Sequence, residues 1–152
     1  MINKHNAAII ILAARIPLLI KVLDKLHYNW NTKFNYPIYI HTFGQLINKT
    51  LKEKIKKRFN IEIYFCEVQT KFPNHIPESE LYYNRTYLDY VKKSFPKKRS
   101  GYLHMCYFKT NITKFGNIGC LDKNLKKYDK LMFYDDDNDL MKKIDYDIFD
   151  FS

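Results

Sequence analysis

Residues 7–14 read Ala-Ala-Ile-Ile-Ile-Leu-Ala-Ala, an unbroken apolar stretch of strand length, and no other feature constrains the fold of this 152-residue chain as strongly. A strand with one wet face alternates apolar and polar residues. A strand with no polar position has to be covered on both faces, which is the situation inside a parallel sheet flanked by helices. The same stretch extends to Ile20 only across Arg15 and Pro17, and so falls short of the roughly 20 apolar residues that cross a bilayer. No transmembrane anchor is expected. Lys4, the apolar run and the small residues Ala13 and Ala14 also have the outline of a signal peptide. A buried first strand explains the same residues and is the preferred reading.

The next segments of the chain support a buried strand. Residues 15–28 place Ile16, Leu19, Ile20, Leu23 and Leu26 or His27 at helical spacing, with Pro17 in the first turn, where its missing N–H costs nothing. Residues 37–42 (Pro-Ile-Tyr-Ile-His-Thr) read as a second strand, residues 46–59 as a lysine-rich amphipathic helix, and residues 61–65 as a third strand. This alternation predicts an α/β sandwich with a largely parallel sheet, the whole of residues 1–152 forming a single domain. Residues 67–79, with Pro73 and Pro77, read as an irregular excursion, residues 80–95 as a helix ending at Pro96, residues 97–101 as a loop and residues 102–115 as a further helix. Residues 130–134 (Lys-Leu-Met-Phe-Tyr) are a compact hydrophobic strand that runs directly into Asp135, Asp136 and Asp137.

Charge is unevenly distributed. The net charge is +10, yet residues 135–152 hold seven of the 16 acids and only two of the 26 bases. The lysines of the basic body are read as solvated faces and not as a nucleic-acid groove. With 46% hydrophobic and 16% aromatic residues the chain can fill a core. Cys66, Cys106 and Cys120 show no paired short spacing of a zinc site, and an odd number cannot close a disulfide framework; they are expected to be buried thiols.

Several function classes lose support at once. With four glycines, the chain has neither a Walker loop nor a dinucleotide fingerprint, and no Gly-x-Ser-x-Gly elbow. Asn-x-Thr sequons begin at Asn48, Asn84 and Asn111, and in an asparagine-rich chain they are read as chance. The acid cluster carries more information. Closely spaced carboxylates at the carboxyl end of a strand can hold Mg²⁺ or Mn²⁺ while the metal also binds a diphosphate, and strand tips are where open α/β sheets bind ligands. The alternative is a solvated acidic turn. Upstream, His104 lies among aromatics in Tyr102-Leu103-His104-Met105-Cys106-Tyr107-Phe108; Tyr102 and Tyr107 could stack on a base, although a lone histidine in such company is more often a packing residue.

Two ordered blocks carry a resemblance. Residues 101–108 resemble the Tyr-Arg-His-Met-Cys-Arg-Phe signature of the fungal Golgi α-1,2-mannosyltransferases, also called glycolipid 2-α-mannosyltransferases. Residues 128–149, from Tyr128-Asp129 to Asp145-Tyr146-Asp147-Ile148-Phe149, are similar without a gap to that family's Tyr-Asp-Tyr-Tyr-Trp-Arg-Val-Glu-Pro-Asp…Asp-Ile-Asp-Tyr-Asp-x-Phe block. Weaker echoes are Asn6-Ala7 and Phe34-Asn35-Tyr36-Pro37. Leu103 and Tyr107 stand where the signature has arginines, and Phe133 and Tyr134 where it has Arg-Val.

The resemblance implies a GT-A-like, Rossmann-type sandwich, incomplete at its C-terminus because the family continues well beyond the point matched by Ser152, with its candidate catalytic carboxylate in that continuation. It implies a metal-dependent transferase that moves a hexose, mannose from GDP-mannose, to a hydroxyl of a glycan or glycoprotein, with Mn²⁺ or Mg²⁺ as cofactor. The metal acids would be Asp135 and Asp137, and Tyr102, His104 and Asp137 would line the donor pocket. The alternative is a catalytically inactive nucleotide-sugar-binding remnant, or one part of a split enzyme. No nucleic-acid partner is expected. The family is Golgi membrane-anchored; a chain complete as it stands, with no anchor, would be soluble or cytoplasmic.

Overall fold

The computed structural model describes residues 5–13, 15–43, 46–68 and 124–151, all of which fall within one compact unit. Four parallel strands form its sheet: β1 (Ala7–Ala13), β2 (Ile38–Phe43), β3 (Ile63–Val68) and β4 (Lys130–Asp135), in the order β3-β2-β1-β4. Every residue of β1 is buried, as its apolar run requires of a central strand. The expected α/β architecture with a parallel sheet is therefore present. The expected helices of residues 80–95 and 102–115, with the loop between them, lie outside the described residues.

The sheet alternates cleanly between two faces. Ala7, Ile9, Ile11 and Ala13 of β1, Ile38 and Ile40 of β2, and Ile63 of β3 share one core cluster with Leu19, Val22, Leu23 and Leu26 of helix α1 (Ile16–Leu26) and with Ile55, which lies on the lysine-rich helix that joins β2 to β3. The α1 positions recur every three or four residues, so one stripe of the helix meets the sheet. Truncating one of these fully buried leucines or isoleucines to alanine removes roughly 2–5 kcal/mol in comparable cores. The opposite face carries Ala8, Ile10, Leu12, Tyr39, His41 and Cys66, all buried.

Three boundaries differ from the sequence reading. The first helical segment outlasts its periodicity: α1 opens into a π-helical turn at His27–Asn31 and a short helix α2 (Thr32–Phe34), and the segment stops where Asn35 takes a left-handed conformation at φ 57°. The buried Asn31 amide closes this turn with two bonds to the Tyr36 backbone, at 2.8 and 2.9 Å. Helix α3 (Lys49–Arg58) starts later than its amphipathic pattern, because the Asn48 side chain accepts the Leu51 N–H at 2.9 Å and caps the helix there. Strand β3 runs over Ile63–Val68, so Glu67 and Val68 belong to the sheet and not to an irregular excursion; the backbone ladder pairs them with Thr42 and Phe43 and carries the strand past the end of its apolar pattern.

The acidic C-terminal segment is part of the fold. The Ile144 N–H donates to the Asn29 carbonyl at 2.9 Å, Asn29 Nδ2 to the Leu140 carbonyl at 2.6 Å, and Trp30 Nε1 to the Tyr146 carbonyl at 3.1 Å. Lys33 reaches the Asp145 carbonyl. Phe149, in the closing 3₁₀ turn Ile148–Phe151, packs edge-on against Tyr36 with ring centres 4.8 Å apart, and Trp30 stacks on Tyr36 at 5.7 Å. Asp147 is buried, accepting the Tyr36 hydroxyl at 2.6 Å and the Phe149 N–H at 3.1 Å.

Candidate functional site

The strand order sets where ligand chemistry can take place. From β1 the chain steps outward through β2 to β3, and β4 then pairs with the other side of β1. The reversal puts a topological switch point at the carboxyl ends of β1 and β4, the position at which open α/β sheets bind their ligands. Asp135, the last residue of β4, is paired with Leu12 near the end of β1, and Arg15 is the residue just before α1. A cation and three consecutive carboxylates thus meet at the switch point.

Their side chains have separate fates. The Asn138 N–H donates to the Asp135 carbonyl at 3.1 Å, closing a turn with Asp136 and Asp137 at its centre. Asp136 is buried, with Oδ2 accepting the Arg15 backbone N–H at 2.9 Å and Oδ1 accepting Arg15 Nη2 at 2.6 Å. The Arg15 side chain does not cap α1, so this carboxylate from a distant strand meets a backbone donor at the start of the helix, where negative charge is favoured. Asp137 points outward and accepts Arg15 Nη2 at 3.0 Å, with both side chains more than half exposed. The two carboxylates reinforce the charged state of the guanidinium and raise its pKa further. Asp135 is half-buried at the strand tip. Beside the turn, Lys25 pairs with Asp139.

The two acids assigned to a metal from the sequence, Asp135 and Asp137, lie at and just beyond the carboxyl end of β4. Their chemistry suits a divalent cation that keeps water and phosphate oxygens in its remaining positions, since Mg²⁺ is commonly held by only one or two carboxylates. Among the described residues no group of three or more His, Cys, Asp or Glu side chains is arranged to hold a metal ion. Tyr102 and His104 lie outside the described residues.

Sequence reasoning gave no individual role to Arg15, Asp136 or His41. Arg15 left one trace, as the first charge after an apolar strand. His41 is fully buried on the sheet face opposite the helices, in one register row with Cys66, Leu12 and Asp135. Burial pushes its pKa down to about 3, outweighing the effect of a backbone hydrogen bond at Tyr39, so the ring is neutral at physiological pH. The second resemblance block divides between two roles. Its Asp135–Asp137 part lies at the switch point, whereas Asp147 and Phe149 build the aromatic core further along the chain.

Clefts lined by described residues lie at both ends of the sheet. The larger, of about 990 Å³, is lined by His5, Asn6, Lys56 and Lys127 among others and lies at the amino ends of the strands, away from the acidic turn. The smaller, of about 320 Å³, opens at the carboxyl ends of β2 and β3 between Thr42, Asn48, Lys49, Lys52 and Glu67. Its location on the ligand-binding edge and its mixed donors and acceptors favour it as the place for a polar ligand, despite its smaller size.

No family model and no curated protein sequence matches the chain. Its fold is shared with solved fungal mannosyltransferases. Core-mannan synthase A (CmsA/Ktr4) from Aspergillus fumigatus, in a Mn/GDP form, superposes with a TM-score of 0.67 at 24% identity, over 97% of this chain and 39% of that one. The mannosyltransferase Ktr4p from S. cerevisiae in complex with GDP gives 0.67 at 20% identity, over 98% and 38%. A second structure of Ktr4p gives 0.65 at 19% identity, over 98% and 36%. The chain thus spans less than two fifths of the length of these proteins. No described helix is long and apolar enough to cross a membrane.

Proposed function

We propose that this chain is the nucleotide-sugar-binding portion of a metal-dependent glycosyltransferase that uses GDP-mannose and delivers mannose to a hydroxyl of a glycan. One observation carries the reading: nearly the whole chain shares its fold with mannosyltransferases solved in Mn/GDP and GDP complexes, and its acidic turn lies at the sheet's topological switch point. In this reading Asp135 and Asp137 would hold Mn²⁺ or Mg²⁺, which when bound would supply positive charge for the departing nucleoside diphosphate. The cleft at the ends of β2 and β3 accepts the nucleoside, with Asn48 and Glu67 as hydrogen-bonding groups and Lys49 and Lys52 as cations near it. The resemblance adds Tyr102 and His104 as donor contacts. In this reading residues 1–152 act as one domain, and no acceptor site or catalytic carboxylate is assigned within them.

A second reading, a binding module without transfer activity, is favoured by the ion pair between Arg15 and Asp137 and by Leu103 and Tyr107 in place of the signature's arginines. Thermal-shift titration with GDP, GDP-mannose, UDP and UDP-sugars, each with and without Mn²⁺, tests the common premise. A ligand at 100 times its Kd stabilises the native state by about 2.7 kcal/mol. The expected result is a Mn²⁺-dependent shift specific to GDP and GDP-mannose that is lost in Asp135→Ala. A folded protein that responds to none of the nucleotides refutes both readings, and binding without sugar transfer or donor hydrolysis selects the second.

A further inference from the structure

Arg15 is attached to the acidic turn by two unequal arms. The inner arm is a backbone N–H and a guanidinium bond to the same buried carboxylate, Asp136, at 2.9 and 2.6 Å. Charge-assisted bonds to a buried carboxylate are strong. The outer arm is one 3.0 Å bond to Asp137, between side chains that are 52% and 59% exposed. Pairs this open to solvent contribute little, and salt weakens them further.

We propose that Arg15 is a resident counter-ion that competes with a divalent cation for Asp137, so that metal entry exchanges the outer arm while the inner arm keeps the guanidinium at the rim of the site. This rests on the reading of Asp135 and Asp137 as metal acids. In the metal-free protein the guanidinium offsets the crowding of carboxylates at the tip of β4. A dication that brings two charges to the same oxygens displaces it from Asp137 at the cost of one weak surface pair. The buried Asp136 then acts as a tether: the displaced guanidinium stays beside the cation, where the oxygens of a diphosphate would need a second positive partner. Asp136 is in this way a positioning residue for Arg15, and takes no part in holding the metal.

The test is direct Mn²⁺ binding to the full chain, read as free Mn²⁺ by electron paramagnetic resonance, with and without GDP. Arg15→Gln is expected to bind Mn²⁺ at least about fivefold more tightly than wild type at low salt, with the difference shrinking as salt is added. Arg58→Gln, which removes an equal charge from the ion pair with Asp24, serves as the control and should leave the affinity unchanged. A readout that needs no substitution accompanies it: on titration of the wild-type protein with Mg²⁺, the Arg15 side-chain NMR resonances should move together with the Asp137 carboxyl signal. Equal Mn²⁺ affinities in wild type and Arg15→Gln, both lost on Asp135→Asn, would overturn the competition and leave the metal site standing. Arg15 resonances that stay fixed while Mg²⁺ binds would overturn it too. Absence of Mn²⁺ binding in every variant, with or without GDP, would remove the metal reading and the proposal together.

Discussion

His41 provides a pH-dependent test of the sheet's buried face. An imidazole whose folded-state pKa lies near 3 instead of its ordinary 6.5 takes up a proton between those values only when the protein unfolds. The unfolded state binds more protons in that window, so stability rises with pH through it, is complete above about 6.5, and is lost as pH falls toward 3. Each pH unit inside the window is worth about 1.36 kcal/mol, so at pH 5 the contribution is about 2 kcal/mol smaller than at pH 7. Against a typical domain stability of roughly 5–15 kcal/mol this is a measurable share. The perturbation is His41→Leu, compared with wild type by urea unfolding at pH 7 and pH 5. The substitution will change the absolute stability at both values. What matters is that the wild-type protein should lose about 2 kcal/mol more than the variant between them. Nitrogen-edited NMR of the wild-type ring should show a neutral tautomer throughout. Equal losses in the two proteins, or a charged ring at pH 5, would refute the assignment of a neutral buried imidazole.

Two further substitutions probe the framework around the site. Tyr36→Phe removes the hydroxyl that Asp147 accepts at 2.6 Å in a buried setting, and should lower stability in chemical denaturation by roughly 1.5–3 kcal/mol, the usual range for a hydrogen bond to a charged group. Asn48→Ala deletes the cap on α3 and should cost about 1 kcal/mol by the same measurement; because Asn48 also lines the cleft at the ends of β2 and β3, it should weaken GDP binding more than its stability cost explains.

The site was only partly legible before the fold was known. Asp135 and Asp137 could be placed at a strand tip because a hydrophobic strand running into three aspartates is a local pattern. What each carboxylate does could not be read in the same way. Asp136 is buried against Arg15, 121 residues earlier, and Asp137 is paired with the same guanidinium; contacts over such separations leave no periodicity in the chain. The end of the second block, Asp147 and Phe149, was legible as part of a resemblance, yet these two residues serve the core through Trp30 and Tyr36 and not the acidic turn.

The individual elements were legible in the order of residues alone. An uninterrupted apolar run of this length is best satisfied by a strand covered on both faces, and stripes at helical spacing bury one side of a helix. Their alternation favours a parallel sheet, because burial energy is local to each segment and repeats with its geometry. Strand order, in contrast, emerged only on folding. The return of β4 to the other side of β1 creates the switch point, brings Arg15 to the acidic turn and sets His41 in one row with Asp135. Pairing of strands depends on backbone hydrogen bonds that nearly every residue can make, so a sequence pattern identifies a strand without naming its neighbour.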